Sequence, residues 1–269
     1  MDEFFALRRP RVLAHRGDSE TAPENTLAAL RQALAAGADL IEIDVTFSRD
    51  RKIVVIHDET VDRTTDGAGA VLDLDLAALR ALDAGAWKGE RFVGERIPTL
   101  DDVLAWARER ILINVEIKSE AVEVAHGGAS IASEVAQRIA EHGMADRTIL
   151  SSFDPRPLAW LRDHRPDLTT AALERPRLDR NRSPAEIVGS VGASGFNTRR
   201  DAVHRARIEA AHAADLLVSI YTVNDVADME RVLDLGVDAL FTDAPGRLVE
   251  LLRQHPGRWR RPARTRRRR

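Results

Sequence analysis

The chain has 269 residues, long enough for one sizeable core and typical of a single α/β barrel. It has no cysteine, which excludes disulfides and thiolate chemistry and limits any metal site to carboxylate, imidazole or carbonyl ligands. The net charge of −3 joins unlike parts: residues 258–269 hold eight arginines and no acid, so the rest of the chain stands at −11 once those are set aside.

Read from the N-terminus, Met1-Asp2-Glu3 is acidic and lacks the apolar core of a signal peptide. No later run approaches the roughly 18 apolar residues of a membrane helix, so a cytoplasmic protein without membrane insertion is expected. The first strand-like run, 11–15, ends on His15, with Arg16 and Gly17 after it. Pro23-Glu24-Asn25-Thr26 then predicts the start of a helix that continues to Ala36 and stops at Gly37. The next strand, 40–47, carries Glu42 and Asp44 two residues apart, so both point to one face while Ile41, Ile43 and Val45 point to the other.

A further run at 53–57 follows after only Ser48-Arg49-Asp50-Arg51-Lys52. So short a link cannot make a parallel crossover, which predicts an antiparallel hairpin. With its turn centred on Asp50-Arg51, partner numbers add to 101 and His57 lies across from Asp44, about 5 Å away at Cβ. Residues 58–99 are too many for a plain loop and contain a helix-like stretch from Asp75 to Leu82, so they are expected to form a cap beside the barrel mouth.

The strand at 112–118 repeats the two-residue spacing with Glu116 and Lys118. Strands are predicted at 148–152, 169–173, 194–197, 217–222 and 239–242, with helices at 100–110, 130–142, 155–163, 183–191, 201–213, 225–235 and 245–254. Setting the hairpin aside leaves eight βα units. The expected fold is a (β/α)8 TIM barrel over residues 1–257, with a β-hairpin extension after strand 2 and a small cap insertion. Residues 258–269 read as an arginine-rich disordered tail, with weak nucleic-acid or anionic-lipid contact as the other reading.

Charged side chains are almost never fully buried unless paired or bound to metal. Any one of Glu42, Asp44 or Glu116 alone would read as an ordinary strand-end salt bridge. Three carboxylates with two histidines at matching strand ends read as a site, and a hard divalent ion, Mg²⁺ or Ca²⁺, is the natural partner of such oxygens. Two imidazoles can then act as acid and base, while Arg16 and Lys118 suit phosphate oxygens. The chain lacks a Gly-x-Ser-x-Gly elbow and a P-loop, so the set points to phosphodiester chemistry without a serine nucleophile or a nucleoside triphosphate. His126, His142, His164, His204, His212 and His255 fall in helical or loop segments and read as surface residues.

At these positions the chain resembles the glycerophosphodiester phosphodiesterase family. The resemblance runs through His15-Arg16-Gly17, Pro23-Glu24-Asn25-Thr26, Glu42-Ile43-Asp44-Val45, His57-Asp58, Arg63-Thr64-Thr65, Ile97-Pro98-Thr99-Leu100, Glu116-Ile117-Lys118, Ser152-Phe153-Asp154, Tyr221-Thr222-Val223-Asn224 and Thr242-Asp243-Ala244-Pro245. It implies a barrel enzyme that hydrolyses glycerophosphodiesters to glycerol 3-phosphate and an alcohol with Mg²⁺ or Ca²⁺. By that resemblance Glu42, Asp44 and Glu116 are the metal ligands, His15 and His57 the acid/base pair, and Arg16 and Lys118 the phosphate contacts. Phe153, Tyr221 and Asn224 are candidate pocket residues. Ser48, Arg51 and Tyr221 depart from the family's usual threonine, glycine and tryptophan.

Two alternatives stand beside this expectation. A phospholipase D-type enzyme acting on lysophospholipid or sphingolipid would need an apolar ridge at the mouth, for which the cap offers Trp87, Phe92 and Val93. The other is an inactive barrel that binds nucleic acid or membrane through its arginine tail. A metal-free phospholipase C-like mechanism would leave the acidic triad without a cation. The substrate head group, the choice of cation, the roles of the two histidines and the oligomeric state stay open.

Overall fold

The structure, a computed structural model, describes residues 9–123 and 130–259. His126 and most of the arginine-rich segment, 260–269, lie outside the described residues. Among the described residues nine strands form, at Arg11–His15 (β1), Leu40–Phe47 (β2), Ile53–Val55 (β3), Leu112–Ile117 (β4), Thr148–Ser152 (β5), Thr169–Leu173 (β6), Gly195–Arg199 (β7), Leu217–Tyr221 (β8) and Ala239–Thr242 (β9). Eight of them are parallel neighbours in one sheet that closes where β1 pairs with both β9 and β2. This is the expected (β/α)8 barrel. The ninth strand, β3, runs antiparallel to β2 as the expected hairpin.

The outer layer consists of α1 (Leu27–Ala35), α3 (Leu100–Ala107), α5 (Ile131–Glu141), α6 (Pro155–His164), α7 (Pro184–Val191), α8 (Arg205–Ala213), α9 (Val226–Asp234) and α10 (Pro245–Gln254). Two shorter helices, α2 (Leu76–Ala81) in the cap and α4 (Ser119–Glu123) after β4, complete the set. Alternation along the strands divides the apolar residues into two cores. Ile41, Ile43, Val45, Val115 and Ile117 face outward and pack with the helices. Leu13, Leu40, Leu112, Ile149, Ala171 and Phe241 fill the barrel interior. Above that interior layer the same strand faces carry Glu42, Asp44 and Glu116, so the alternation that builds the core also delivers the acids to the mouth.

Helix starts follow local capping chemistry. Thr99 and Ser183 form capping boxes with Asp102 and Glu186, each cap contributing about 1 kcal/mol. Two predicted starts move. The helix expected from Pro23 begins at Leu27, because Thr26 is its cap, with Oγ1 accepting from Ala29 N. That expected from Asp201 begins at Arg205.

The hairpin register also differs from expectation. Pairs Val45–Val55, Thr46–Val54 and Phe47–Ile53 add to 100, not 101. The tip is the three-residue loop Arg49–Arg51, closed by a 2.9 Å bond from Ser48 N to Lys52 O, with Arg51 in the left-handed region at φ 57°. Asp44 therefore faces Ile56, whose N–H donates to the Asp44 carbonyl at 3.1 Å, and His57 lies beyond the end of the ladder. Because Val45 also pairs with Ile117 on its other edge, β3 occupies the edge of β2 that β1 leaves at His15.

Residues 58–99 pack their own small core of Val61, Val71, Leu79, Ala84 and Ile97 against Val54 and Ile56. Phe92 is buried against Ala22 and Ala29, leaving Trp87 and Val93 as exposed apolar residues of the cap. At the other end of the chain Arg258 and Trp259, grouped with the tail by composition, are held on α9. Arg258 pairs with Glu230 and Asp234, and the Trp259 Nε1–H donates to Asp234 at 2.7 Å. Among the described residues no helix is long and apolar enough to cross a membrane.

Candidate active site

The site lies at the C-terminal ends of β1, β2 and β4, the face where barrel enzymes carry their reactive groups. Parallel pairing sets the acids side by side, since Asp44 is the partner of Glu116 and Glu42 that of His15. One carboxylate oxygen from each of Glu42, Asp44 and Glu116 lies within 4.8 Å of the others. The donor set is three hard oxygens. Glu42 is buried, with one oxygen accepting from Arg16 N at 3.0 Å and the other, Oε1, without a hydrogen-bond partner. A buried carboxylate oxygen left unpaired is costly, and a cation at the triad would satisfy it. The residues present thus fit a divalent metal.

The electrostatics agree. Burial, then repulsion from Asp44 and Glu116, pushes the Glu42 carboxyl well above the usual range. Burial and Asp44 push Glu116 up to about 7. Asp44 goes the other way: its burial favours protonation, but Arg16, Lys118 and a hydrogen bond from Asn25 hold it below the usual range. Arg16 Nε is 3.2 Å from Asp44, and Lys118 Nζ lies 3.7 Å from Asp44 and 3.6 Å from Glu116. Both cations therefore border the triad.

The two histidines are each held by a carboxylate. His15 Nδ1 is 2.7 Å from Asp243, and His57 Nδ1 is 2.7 Å from Asp58. Burial lowers the His57 pKa, with Arg16 and Lys118 adding to the effect and Asp44 opposing it. Burial raises the Asp243 carboxyl, but hydrogen bonds from His15, Asn224 and Ser19 outweigh it and bring it down to about 2. Asp58 is held low by its hydrogen bonds from Arg63. Arg63 reaches on to Glu24 at 2.7 Å, and Glu24 accepts from Arg16 at 2.9 Å.

Several of these supports lie in motifs quoted from the sequence without a role of their own. Asn25, expected to open a helix, is buried in a left-handed turn at φ 59° and binds Asp44 twice: its Nδ2 donates to Oδ2 at 2.9 Å and its Oδ1 accepts from Asp44 N at 3.3 Å. Glu24, Asp58, Arg63 and Asp243 are likewise second-layer groups. The Asn224 amide is used on Asp243 and Thr242. Phe153 and Phe241 stand edge-on to Tyr221, with centroids 6.0 and 6.3 Å from it, and the Tyr221 hydroxyl donates to Glu174 O at 3.3 Å. This aromatic row spans β5, β8 and β9, whereas the triad and both histidines stand on β1, β2, β4 and the hairpin. His142 and His212 are bound at 2.9 Å by Asp101 and Asp238 on the outside of the barrel, away from the mouth.

Comparison with known proteins places this geometry in context. The profile of the glycerophosphoryl diester phosphodiesterase family matches residues 15–247. A glycerophosphodiester phosphodiesterase of Caldanaerobacter subterraneus subsp. tengcongensis is 38% identical over 244 residues, covering 90% of this chain and 98% of its own. The crystal structure of a glycerophosphodiester phosphodiesterase from Agrobacterium tumefaciens superposes with a TM-score of 0.78 at 31% identity, covering 90% of this chain and 99% of that one. An Oleispira antarctica phosphodiesterase in complex with the product sn-glycerol-3-phosphate gives a TM-score of 0.81 at 30% identity, covering 91% and 97%. With a family match across most of its length and relatives above 30% identity over nine-tenths of it, the chain belongs to the glycerophosphoryl diester phosphodiesterase family.

Proposed function

We propose that the protein is a metal-dependent phosphodiesterase that hydrolyses glycerophosphodiesters to glycerol 3-phosphate and an alcohol. The observation that carries this reading is the buried triad of Glu42, Asp44 and Glu116, with an unpaired oxygen on Glu42 and a histidine on either side. Family membership and the product held by the Oleispira relative support the substrate class.

Glu42, Asp44 and Glu116 would hold the cation, Mg²⁺ or Ca²⁺. Bound there, it supplies a Lewis acid that polarises the phosphoryl oxygen and offsets the charge that grows on it. Arg16 and Lys118 take the remaining phosphate oxygens, Arg16 through its planar fork and Lys118 as a point charge. His15 and His57 divide the proton transfers. One imidazole removes the proton from the attacking water or glycerol hydroxyl, and the other protonates the departing alkoxide; attack by the hydroxyl leaves a cyclic phosphodiester, which a water then opens to glycerol 3-phosphate with the two imidazoles exchanging roles. The burial of Phe92 leaves the cap only Trp87 and Val93 as exposed apolar residues, which favours a small diester over a long-chain lipid.

The test is release of the alcohol, choline or ethanolamine, from glycerophosphocholine, glycerophosphoethanolamine and lysophosphatidylcholine, with glycerol 3-phosphate measured for the two short diesters, before and after EDTA and on return of Mg²⁺ or Ca²⁺. Release from the short diesters, lost with EDTA and restored by the cation, is expected. Release that persists without metal would overturn the metal assignment, and release from lysophosphatidylcholine alone would overturn the substrate.

A further inference from the structure

We propose that Asp243 is the positioning residue for His15, fixing its imidazole as the Nδ1–H tautomer so that Nε2 is the nitrogen that exchanges protons with substrate. This rests on the reading of His15 as one of the two proton carriers. An ionised carboxylate accepts and cannot donate, so the proton in the 2.7 Å contact between His15 Nδ1 and Asp243 Oδ1 belongs to the imidazole. Among the described residues His15 Nε2 has no hydrogen bond.

The fold fixes the carboxylate from two sides. β9 ends at Thr242, the register partner of Ala14, which puts residue 243 beside residue 15. Asn224 Nδ2 then donates to Asp243 Oδ2 at 2.6 Å, and the Ser19 hydroxyl shares its proton between Oδ1 at 3.1 Å and the His15 carbonyl oxygen at 2.8 Å. Asn224 cannot turn over, because its Oδ1 already accepts from Asp243 N at 2.9 Å and from Thr242 Oγ1 at 3.1 Å. The Asp243 donors are thus neutral apart from the imidazole itself. His57 differs in this respect, since both oxygens of its partner Asp58 are also bound by the Arg63 guanidinium.

The direction of Asn224 makes the proposal testable by a shape-conserving change. In Asp243→Asn the amide oxygen must stay opposite the Asn224 N–H, so the new NH₂ faces His15 Nδ1. That nitrogen can accept only when the ring proton has moved to Nε2, the wrong tautomer for catalysis. A loss of about 10³ to 10⁴ in kcat with little change in KM is expected, the size seen when a histidine's carboxylate partner becomes an amide.

Wild type, H15A, D243N, the double variant and D243N/N224A would be compared for kcat, KM and melting temperature, and the His15 tautomer read by long-range ¹H–¹⁵N correlation. Expected results are a switch from Nδ1–H to Nε2–H in D243N and a double variant no slower than H15A. Partial recovery of kcat is expected in D243N/N224A, where the amide can rotate; damage to the fold would not recover this way. Wild-type turnover by H15A would remove the reading of His15 itself. An inactive H15A beside a D243N within about threefold of wild type, with its tautomer unchanged, would overturn the positioning role alone.

Discussion

Withdrawal of the divalent cation should make the stability of this barrel fall as pH rises from 5.5 to 8. Glu116 titrates at about 7 in the metal-free fold, against an ordinary 4.5, because it is buried beside Asp44. A carboxyl raised in this way costs nothing below pH 4.5, where it is protonated folded and unfolded alike. Its cost grows between 4.5 and 7 as the unfolded chain ionises first, and is constant above. The full displacement corresponds to roughly 3 kcal/mol, and Glu42, shifted in the same direction, adds to it. About 2 kcal/mol of the Glu116 cost falls between pH 5.5 and 8, which in a chain of this size is a fall of about 4–8 °C in melting temperature. His57 works in the opposite sense: its lowered pKa makes stability rise with pH up to its unfolded value near 6.5. The informative quantity is therefore the difference between wild type and Glu116→Gln, each in EDTA and in saturating Mg²⁺ or Ca²⁺. Wild type should lose stability relative to the variant between pH 5.5 and 8 in EDTA, and the cation should abolish most of that loss. Parallel curves for the two proteins in EDTA would refute the reasoning.

Other perturbations separate the layers of the site. Glu42→Gln removes the unpaired buried charge, so thermal melts in EDTA should show a more stable metal-free protein, while glycerol 3-phosphate release falls by at least about 10³-fold. Asn25→Ala deletes both bonds that orient Asp44, and metal titration should show affinity weakened about 10- to 100-fold, with activity returning at high cation concentration. Truncation before Arg258 exposes the face of α9 that Trp259 covers and should cost about 2 kcal/mol in chemical denaturation.

The nine strands were legible within two residues of their ends because a run such as Ile53-Val54-Val55 has no other stable reading beside so short a link. The triad was legible for a related reason: Glu42, Asp44 and Glu116 interrupt apolar strands, and buried charge there violates the rule that builds the strand. Loop residues break no such rule. Asp58, Arg63 and Asp243 stand in the quoted motifs, but as polar residues of connections their partners are not readable from spacing, and Asn25 beside Pro23 and Thr26 looks like part of a helix cap. The hairpin register was missed by one because it depends on Arg51 entering the left-handed region, which a glycine there would have signalled and an arginine does not.

The second layer, once seen, alters what the first can do. Carboxylates and guanidiniums alternate without a break from Asp58, which holds His57, through Arg63, Glu24 and Arg16 to Asp44, so one histidine is tied to the acidic triad through two guanidiniums shared among three carboxylates. His15 is tied instead to Asp243 and neutral donors on β8 and β9. Loss of Arg63 should therefore disturb both His57 and Arg16, the proposed phosphate contact, lowering kcat and raising KM together, while loss of Asp243 should act on kcat alone. Steady-state kinetics of Arg63→Gln beside D243N decides the point: a D243N defect confined to KM, or an R63Q defect confined to kcat, would show that the two networks do not divide the site in this way.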